Sequence, residues 1–218
     1  MKHDPKTSRA VAVMVLLTLA LLAAVSCSGR SGNAPDGENA STDETTQSSL
    51  SPDPAFNHLL PTLRQMTTAP IMLPASLPKK VGGVAIEKDP NKNPYTTGGN
   101  SYTILLLYSK EDATKVTQPY VHYMTLGRLT ASPVNAPLLP ELSNELGKPH
   151  QLDDVTLPDG TAAKLKRLVP PRGANYGPFT VGTFEKQGER YTVSIEGGTP
   201  NGDMTREILS TMVKVPAQ

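Results

Sequence analysis

Residues 179–196, "FTVGTFEKQGERYTVSIE", consist of two alternating runs that meet at the polar-glycine pair Gln187-Gly188. A turn pair of this kind between two alternating runs predicts a β-hairpin, with Lys186 opposite Glu189. The second run separates an apolar face from a polar one: Tyr191, Val193 and Ile195 against Arg190, Thr192, Ser194 and Glu196. We therefore predict an antiparallel hairpin with one face packed and the other in water.

Further strands are indicated upstream of this hairpin. Residues 153–168, "DDVTLPDGTAAKLKRL", predict a second hairpin that turns at Asp159-Gly160. Residues 101–109, "SYTILLLYS", are apolar on both faces, which is typical of a central strand covered on both sides. The stretch "YVHYMTLGRLTA", 120–131, is predicted to be its neighbour. Phe179 and Phe184, each in a predicted strand, are expected to face the core.

Three segments have the spacing of short helices. Residues 52–66 carry apolar side chains at helical intervals, but Pro61 interrupts them, which predicts one kinked helix or two short ones. Residues 139–147, "LPELSNELG", predict a helix with Pro140 in its first turn and Gly147 as its carboxyl cap. Residues 203–215 carry an apolar stripe at helical spacing.

Strands joined by hairpins, with helices at the two ends, predict an α+β fold. The specific expectation is a single antiparallel sheet of about five to seven strands, with a short N-terminal helix and a C-terminal helix packed on it. The segment 69–78, "APIMLPASLP", has proline at every fourth position from Pro70, so it should be extended and lie outside any sheet. It could serve as a ligand for a proline-binding groove, but we favour a covering segment with four side chains on the core: Ile71, Met72, Leu73 and Leu77.

The amino-terminal residues are typical of a secretory signal. A basic start with Lys2, Lys6 and Arg9 precedes sixteen uncharged residues, 10–25. A membrane-spanning helix needs about 20 apolar residues, whereas this length suits the apolar region of a signal peptide. A retained short anchor helix is the alternative. Residues 1–26 are thus expected to be a signal peptide.

The end of this segment, "AAVSC" at 23–27, resembles the lipobox of bacterial lipoproteins. The resemblance implies a diacylglycerol thioether on the Cys27 sulfur and cleavage between Ser26 and Cys27. Ala24 departs from the pattern, since leucine is usual there, so cleavage by an ordinary signal peptidase is an alternative that would leave a secreted protein with a free thiol. Lipidation would account for the only cysteine of the chain and would hold the protein outside the cell on the bacterial membrane.

The next residues, 28–53, contain one leucine as their only large apolar side chain and have a net charge of −4. Such a composition predicts a disordered tether that spans roughly 28 Å as a random coil. Residues 27–53 would therefore link the lipid to a single extracytoplasmic domain, 54–218. Without residues 1–26 the chain has 18 basic and 19 acidic residues, so it lacks the cationic excess that nucleic-acid binding requires.

No arrangement of residues in the sequence specifies catalysis, a cofactor or a metal. No G-x-S-x-G motif occurs, and Cys27 is consumed or terminal. The histidines of the predicted domain (His58, His122 and His150) are too far apart for an i, i+4 metal face. The acidic pairs 111–112 and 153–154 do not lie in a calcium-loop pattern, and we interpret them as solvated turn charges.

From residue 71 onward the chain is similar to a bacterial domain of unknown function. The matching pieces are "IMLPASLP" (71–78), "VTLPDGTAAKL" (155–165), "YTVSIEGG" (191–198) and "REILSTM" (206–212). That domain occurs in lipoproteins and in the outer segments of membrane-bound anti-sigma factors. The resemblance implies an envelope protein and supplies no catalytic residues.

Three functions remain as hypotheses. The first is a non-enzymatic lipoprotein that acts as a sensing or protein-interaction module, with another envelope protein as partner. The second is a carrier of a lipid or another apolar ligand, with adaptable methionines lining its site: Met66, Met72, Met124, Met204 and Met212. A filled core is the alternative interpretation of those methionines. The third is a hydrolase with an unrecognised site.

Overall fold

A computed structural model describes residues 50–87, 100–111 and 125–217. Their nine strands are β1 (Met72–Pro74), β2 (Gly83–Ile86), β3 (Tyr102–Leu107), β4 (Thr125–Pro133), β5 (Lys148–Thr156), β6 (Ala162–Val169), β7 (Phe179–Lys186), β8 (Glu189–Glu196) and β9 (Met212–Lys214). Seven of them form one antiparallel sheet in the order β2-β3-β4-β8-β7-β6-β5. The predicted antiparallel sheet with helices near both ends of the domain is therefore confirmed.

Both predicted hairpins are present. Strands β7 and β8 turn at Gln187 and Gly188, whose φ angles of 53° and 82° are the positive values that a tight hairpin turn demands. Lys186 lies opposite Glu189 as predicted. Strands β5 and β6 turn at Asp159-Gly160, where Oδ1 of Asp159 accepts a hydrogen bond of 2.9 Å from the Thr161 amide.

Strand β3 has the central position that its two apolar faces predict. It lies between β2 and β4, and all six of its residues are buried. Ile104 and Leu106 face the main core, whereas Leu105 and Leu107 pack with Ala85 on the opposite face of the sheet. The predicted neighbour strand is confirmed as β4 from Thr125 onward, and residues 120–124 lie outside the described residues.

The expectation of a single sheet of about five to seven strands is wrong, because β1 and β9 form a separate two-stranded ribbon and the described strands number nine. The stripe at 203–215 is also not one helix: the helix α3 (Asp203–Leu209) ends before β9 begins. The proline-rich segment is extended as predicted, but the expectation that it lies outside any sheet is wrong, because Met72–Pro74 pairs with β9. Both strands of a two-stranded ribbon are edge strands, where proline is tolerated. The Val215 amide extends the ribbon with a bond of 2.8 Å to Ile71 O. Pairing with β1 therefore takes precedence over continuation of the helix.

The other helices are short, as predicted. A 3-10 turn (Pro54–Phe56) and the helix α1 (Leu60–Met66) are two separate short helical pieces, and Pro61 lies in the first turn of α1. The helix α2 (Pro140–Ser143) begins at proline, but its carboxyl cap is Asn144 in the left-handed conformation (φ 67°), and the predicted cap at Gly147 is wrong. Asparagine tolerates this conformation better than most residues, which ends the helix early.

The main core lies between one face of the large sheet and a layer formed by α1, α3 and the ribbon. It contains side chains from every one of these elements: Leu63, Met72, Leu73, Ile104, Leu129, Leu165, Phe184, Val193, Ile195, Ile208, Leu209 and Met212. The covering role predicted for residues 71–77 is confirmed, since Ile71, Met72 and Leu73 are buried and Leu77 packs against the core. Phe184 faces this core as expected, whereas Phe179 is only half-buried and lies beside Tyr176.

The prediction that the opposite face of β8 meets water is wrong. Thr192 and Ser194 are only 3% and 4% exposed. The helix α2 lies over this face, because its residue Glu141, itself buried, accepts a hydrogen bond of 3.5 Å from the Ser194 hydroxyl. Polar alternation identified the two faces correctly but could not show that a helix covers the second one.

Two buried tyrosines connect the large sheet to the segment that contains β1. The Tyr102 hydroxyl accepts from the Met72 amide at 3.0 Å and donates to the carbonyl of the same residue at 3.2 Å. The Tyr191 hydroxyl donates to Pro70 O at 2.7 Å. Burial raises the pKa of both tyrosines, while the bond to Met72 lowers that of Tyr102 in part. Both hydroxyls therefore remain neutral donors.

Candidate functional site

Cys27, which is predicted to carry the lipid, and Ser26, which precedes the predicted cleavage point, lie outside the described residues. So does His122, while His58 and His150 are exposed. Among residues 50–87, 100–111 and 125–217, no three His, Cys, Asp or Glu side chains are grouped so that they could hold a metal ion. The helices within these ranges are all too short or too polar to cross a membrane.

An open groove of about 600 Å³ lies where the turn before β2, the end of β3, the start of β4 and the α3 region meet. We call it the α3 groove. It is lined by Pro78, Lys79, Lys80, Tyr108, Leu126, Glu196, Gly197, Gly198, Thr199, Asp203, Met204 and Glu207. Its volume is within the range of about 300–1,000 Å³ that is typical of small-ligand sites.

The α3 groove combines apolar surface with side chains of both charges. Pro78 and Leu126 are buried and Met204 is half-buried, so these three provide a base continuous with the domain interior. Tyr108, which follows β3, is 54% exposed and provides an aromatic ring at the surface. Two exposed lysines, three acidic side chains, Thr199 and the glycines 197 and 198 complete the lining.

The charged residues come from different segments. Lys79 and Lys80, the basic pair, belong to the turn before β2, which the 2.8 Å bond from the Val81 amide to Pro78 O closes. Asp203 and Glu207 are four residues apart on α3, so they lie on the same face of that helix. With Glu196 at the end of β8 they form the acidic trio.

Two glycines set the course of the loop between β8 and α3, the two elements that carry the acidic trio. Gly197 has a φ of 67° and Gly202 a φ of 71°, both in the left-handed region. A Cβ atom on Gly202 would lie 2.6 Å from Thr180 Cγ2, so a side chain at this position would displace the start of α3. Glycine at 202 thus allows α3 to pack closely on β7 and fixes the position of Asp203.

The charges of the α3 groove are not neutralised by one another. Glu196 accepts a bond of 3.2 Å from the Gly177 amide, and Asp203 accepts one of 2.9 Å from the Thr199 hydroxyl. Within the part of the chain that the structure describes, no ion pair joins the basic pair to the acidic trio. Among the described residues, both signs of charge are therefore available to a ligand.

A second groove of about 480 Å³ lies between α2 and strands β6 and β7. Each of its cations has at least one partner, although Nη1 of Arg190 is buried without one among the described residues. Lys166 donates to Leu142 O and to the Asn144 side chain, and Lys164 pairs with Asp154.

Arg190 contacts Glu185 at 3.4 Å and donates to Val134 O at 2.7 Å. Burial lowers the pKa of Lys166, and nearby Glu141 opposes this effect. These charges serve to hold the protein's own segments together.

The methionines proposed as a ligand lining are divided between core and surface. Met72 and Met212 are buried in the core, Met204 is half-buried at the α3 groove, and Met66 is 36% exposed. Met124 lies outside the described residues. The interior void that Met72 and Met212 line with Tyr102 and Tyr191 measures about 10 Å³, which is at the lower limit for one water molecule.

Comparison with protein-family models, with curated protein sequences and with solved structures finds no match to this chain. The function is therefore inferred from the residues and the geometry.

The sequence did not indicate the α3 groove as a site. Its lining residues come from segments between positions 78 and 207, and only folding brings them together. Two features of the sequence belong to this groove. Lys79 and Lys80 directly follow an apolar covering segment, and Asp203 and Glu207 are spaced for one helix face. The charges of each segment alone are indistinguishable from ordinary solvated charges.

Proposed function

We propose that this protein is a non-enzymatic bacterial lipoprotein whose folded domain acts as a sensing or protein-interaction module outside the cell membrane. The observation that supports an interaction module is the α3 groove, an open and partly apolar surface whose basic and acidic side chains form no ion pair with each other in the described part of the chain. Interfaces typically have this combination of an apolar base and a charged margin.

The anchor part of the proposal is supported by the sequence. A basic start, sixteen uncharged residues and the small residues before Cys27 form a signal of the lipoprotein type. Each buried methylene contributes about 0.8 kcal/mol to membrane binding, and stable attachment takes two acyl chains. The diacylglycerol group alone supplies two, so the domain would need no spanning helix to remain on the bilayer.

Intact-mass analysis of the protein from its native host tests the anchor. We expect a chain that begins at Cys27 and carries the mass of a diacylglycerol, and that partitions with membranes. The Cys27→Ala variant should appear in the soluble fraction or retain residues 1–26. A wild-type chain with a free thiol, or with residues 1–26 attached, would contradict the proposal.

The carrier hypothesis is distinguished by native mass spectrometry after removal of detergent. A 10 Å³ interior void leaves no room for an acyl chain within that part of the core, so we expect the Cys27→Ala protein to have the mass of its polypeptide alone. A bound lipid of defined mass would support a carrier and contradict an interaction module.

A further inference from the structure

We propose that the α3 groove binds an extended peptide segment of a partner protein, in which a basic and an acidic side chain are separated by apolar residues. This proposal rests on the interaction function proposed above and specifies the chemistry of the partner.

The charge arrangement indicates a ligand of both signs. The acidic trio attracts a cationic side chain, and the basic pair, from another segment of the chain, attracts a carboxylate. A ligand with charges of one sign only would be attracted by either the basic pair or the acidic trio and repelled by the other. Repulsion between like charges is one source of specificity at interfaces.

The surface between these charges suits apolar side chains. Tyr108 presents an exposed ring, and Met204 presents a flexible thioether beside the buried Leu126. Tyrosine and methionine are both enriched in protein interfaces, where rings provide rigid contact area and methionine adapts to varied shapes.

The backbone of the acidic side is also open to a peptide. The Gly197 amide already donates to Pro178 O at 2.8 Å, but neither Gly197 nor Gly198 has a side chain over the surface, and a Cβ atom on Gly197 would have no neighbour within 4 Å. Glycine allows the backbone of a ligand to approach closely. The bonding groups of an extended peptide can therefore reach this loop.

Two other surfaces fit a partner less well. The cations of the groove beside α2 are engaged by Leu142, Asn144, Asp154, Glu185 and Val134. The outer edge of β5 contains Pro149, which has no amide proton to donate to an added strand.

Selection from a phage library of random heptapeptides tests the proposal, with the full-length protein immobilised in detergent. We expect enrichment of sequences in which a Lys or Arg and an Asp or Glu flank apolar residues. Individual selected peptides, synthesised and labelled, then give dissociation constants by fluorescence anisotropy.

Charge-reversal variants show which charged side chain of the peptide contacts the basic pair and which contacts the acidic trio. The Lys79→Glu/Lys80→Glu variant should weaken a selected peptide about five- to tenfold, because favourable exposed pairs are replaced by repulsion. Replacing the acidic residue of that peptide by lysine should restore binding to this variant. Asp203→Lys/Glu207→Lys should give the converse result, with rescue by an acidic residue in place of the basic one.

Matched controls use exposed residues away from the groove. Lys148→Glu on β5 and Glu145→Lys after α2 each reverse one exposed charge of the corresponding sign, half the change made by the double variants, and both should leave the dissociation constant within twofold. Circular dichroism melting of each variant shows that the fold is retained.

The proposal is overturned if no peptide is enriched, if the enriched peptides carry one sign of charge, or if charge reversal at 79/80 and 203/207 has no more effect than the controls. None of these results bears on the mass of the Cys27 adduct or on a co-purified lipid, so failure here is distinguishable from failure of the proposed function.

Discussion

At the scale of single residues, Glu189 is an energetic liability within the domain. Its Oε1 accepts a bond of 2.9 Å from the Asn100 amide group, but Oε2 is buried and has no partner in the described structure. Burial raises the pKa of this carboxyl, and the bond from Asn100 only partly opposes the effect. A buried group with one unsatisfied oxygen destabilises its charged form.

Glutamine at this position should therefore stabilise the protein at neutral pH. A carboxyl with a raised pKa binds a proton more tightly in the folded state, so stability falls as pH rises above the ordinary value of 4.5. We expect Glu189→Gln to raise the free energy of unfolding by about 1 kcal/mol at pH 7. The gain should disappear near pH 4. Urea unfolding at both pH values measures it, and a gain independent of pH would contradict the electrostatic explanation.

Asn100, the partner of Glu189, also hydrogen-bonds to Thr68. Its Oδ1 accepts from the Thr68 amide at 3.0 Å, and its amide group donates to Glu189. This single side chain connects the residues after α1 with the start of β8. Nothing in the sequence around position 100 indicates that role, because both partners are distant along the chain.

At the scale of secondary-structure elements, the turn of the β5–β6 hairpin contains a carboxylate, Asp159, whose pKa is set by the groups around it. Burial alone would raise the pKa of Asp159, but bonds from the Lys186 ammonium and the Thr161 amide outweigh it and lower the pKa to about 2. The ion pair to Lys186 also connects this turn with the end of β7. Asp159 thus acts beyond its own turn.

Removing this charge should destabilise the hairpin in a pH-dependent way. A lowered carboxyl pKa gives stability that is present above about 4 and is lost as pH falls towards 2. Because Asp159 is 37% exposed, screening limits the cost of Asp159→Asn at pH 6 to about 1 kcal/mol. Asp154→Asn, in a more exposed pair with Lys164, should cost less. Thermal melts from pH 2 to 6 compare the two variants.

The contact between α3 and β7 depends on Gly182. A Cβ atom there would lie 2.3 Å from Leu209 Cδ1 and 3.2 Å from Thr205 Cγ2. Gly182→Ala should therefore cost about 1–3 kcal/mol in unfolding free energy, as overpacking usually does.

A double variant tests this explanation. Adding Leu209→Ala removes the methyl group in conflict, so the two costs should sum to more than the cost of the double variant. Thr183→Ala, on the opposite face of β7, is the matched control and should lack this coupling. Strict additivity of the first pair would show that packing at Gly182 is not the cause.

At the scale of the whole molecule, the sequence predicted what local chemistry determines. The turns at Asp159-Gly160 and Gln187-Gly188 are defined by adjacent residues, so both hairpins and the register at Lys186 were predictable. The β1–β9 ribbon was not, because its partners Met72 and Lys214 are distant in sequence and each strand has only three residues. The α3 groove was missed for the same reason.

The ribbon also has a consequence for biosynthesis. β1 is the first strand to leave the ribosome and β9 the last, so the layer over the core cannot close until residue 214 has emerged. In the folded protein the Tyr102 and Tyr191 hydroxyls bond to Met72 and Pro70 and so hold the segment that contains β1 against the large sheet. A chain that completes its fold only after synthesis remains suitable for threading through a translocation channel, which passes unfolded polypeptide. If the chain is exported as proposed above, the layer over its core is still open when β8 leaves the ribosome.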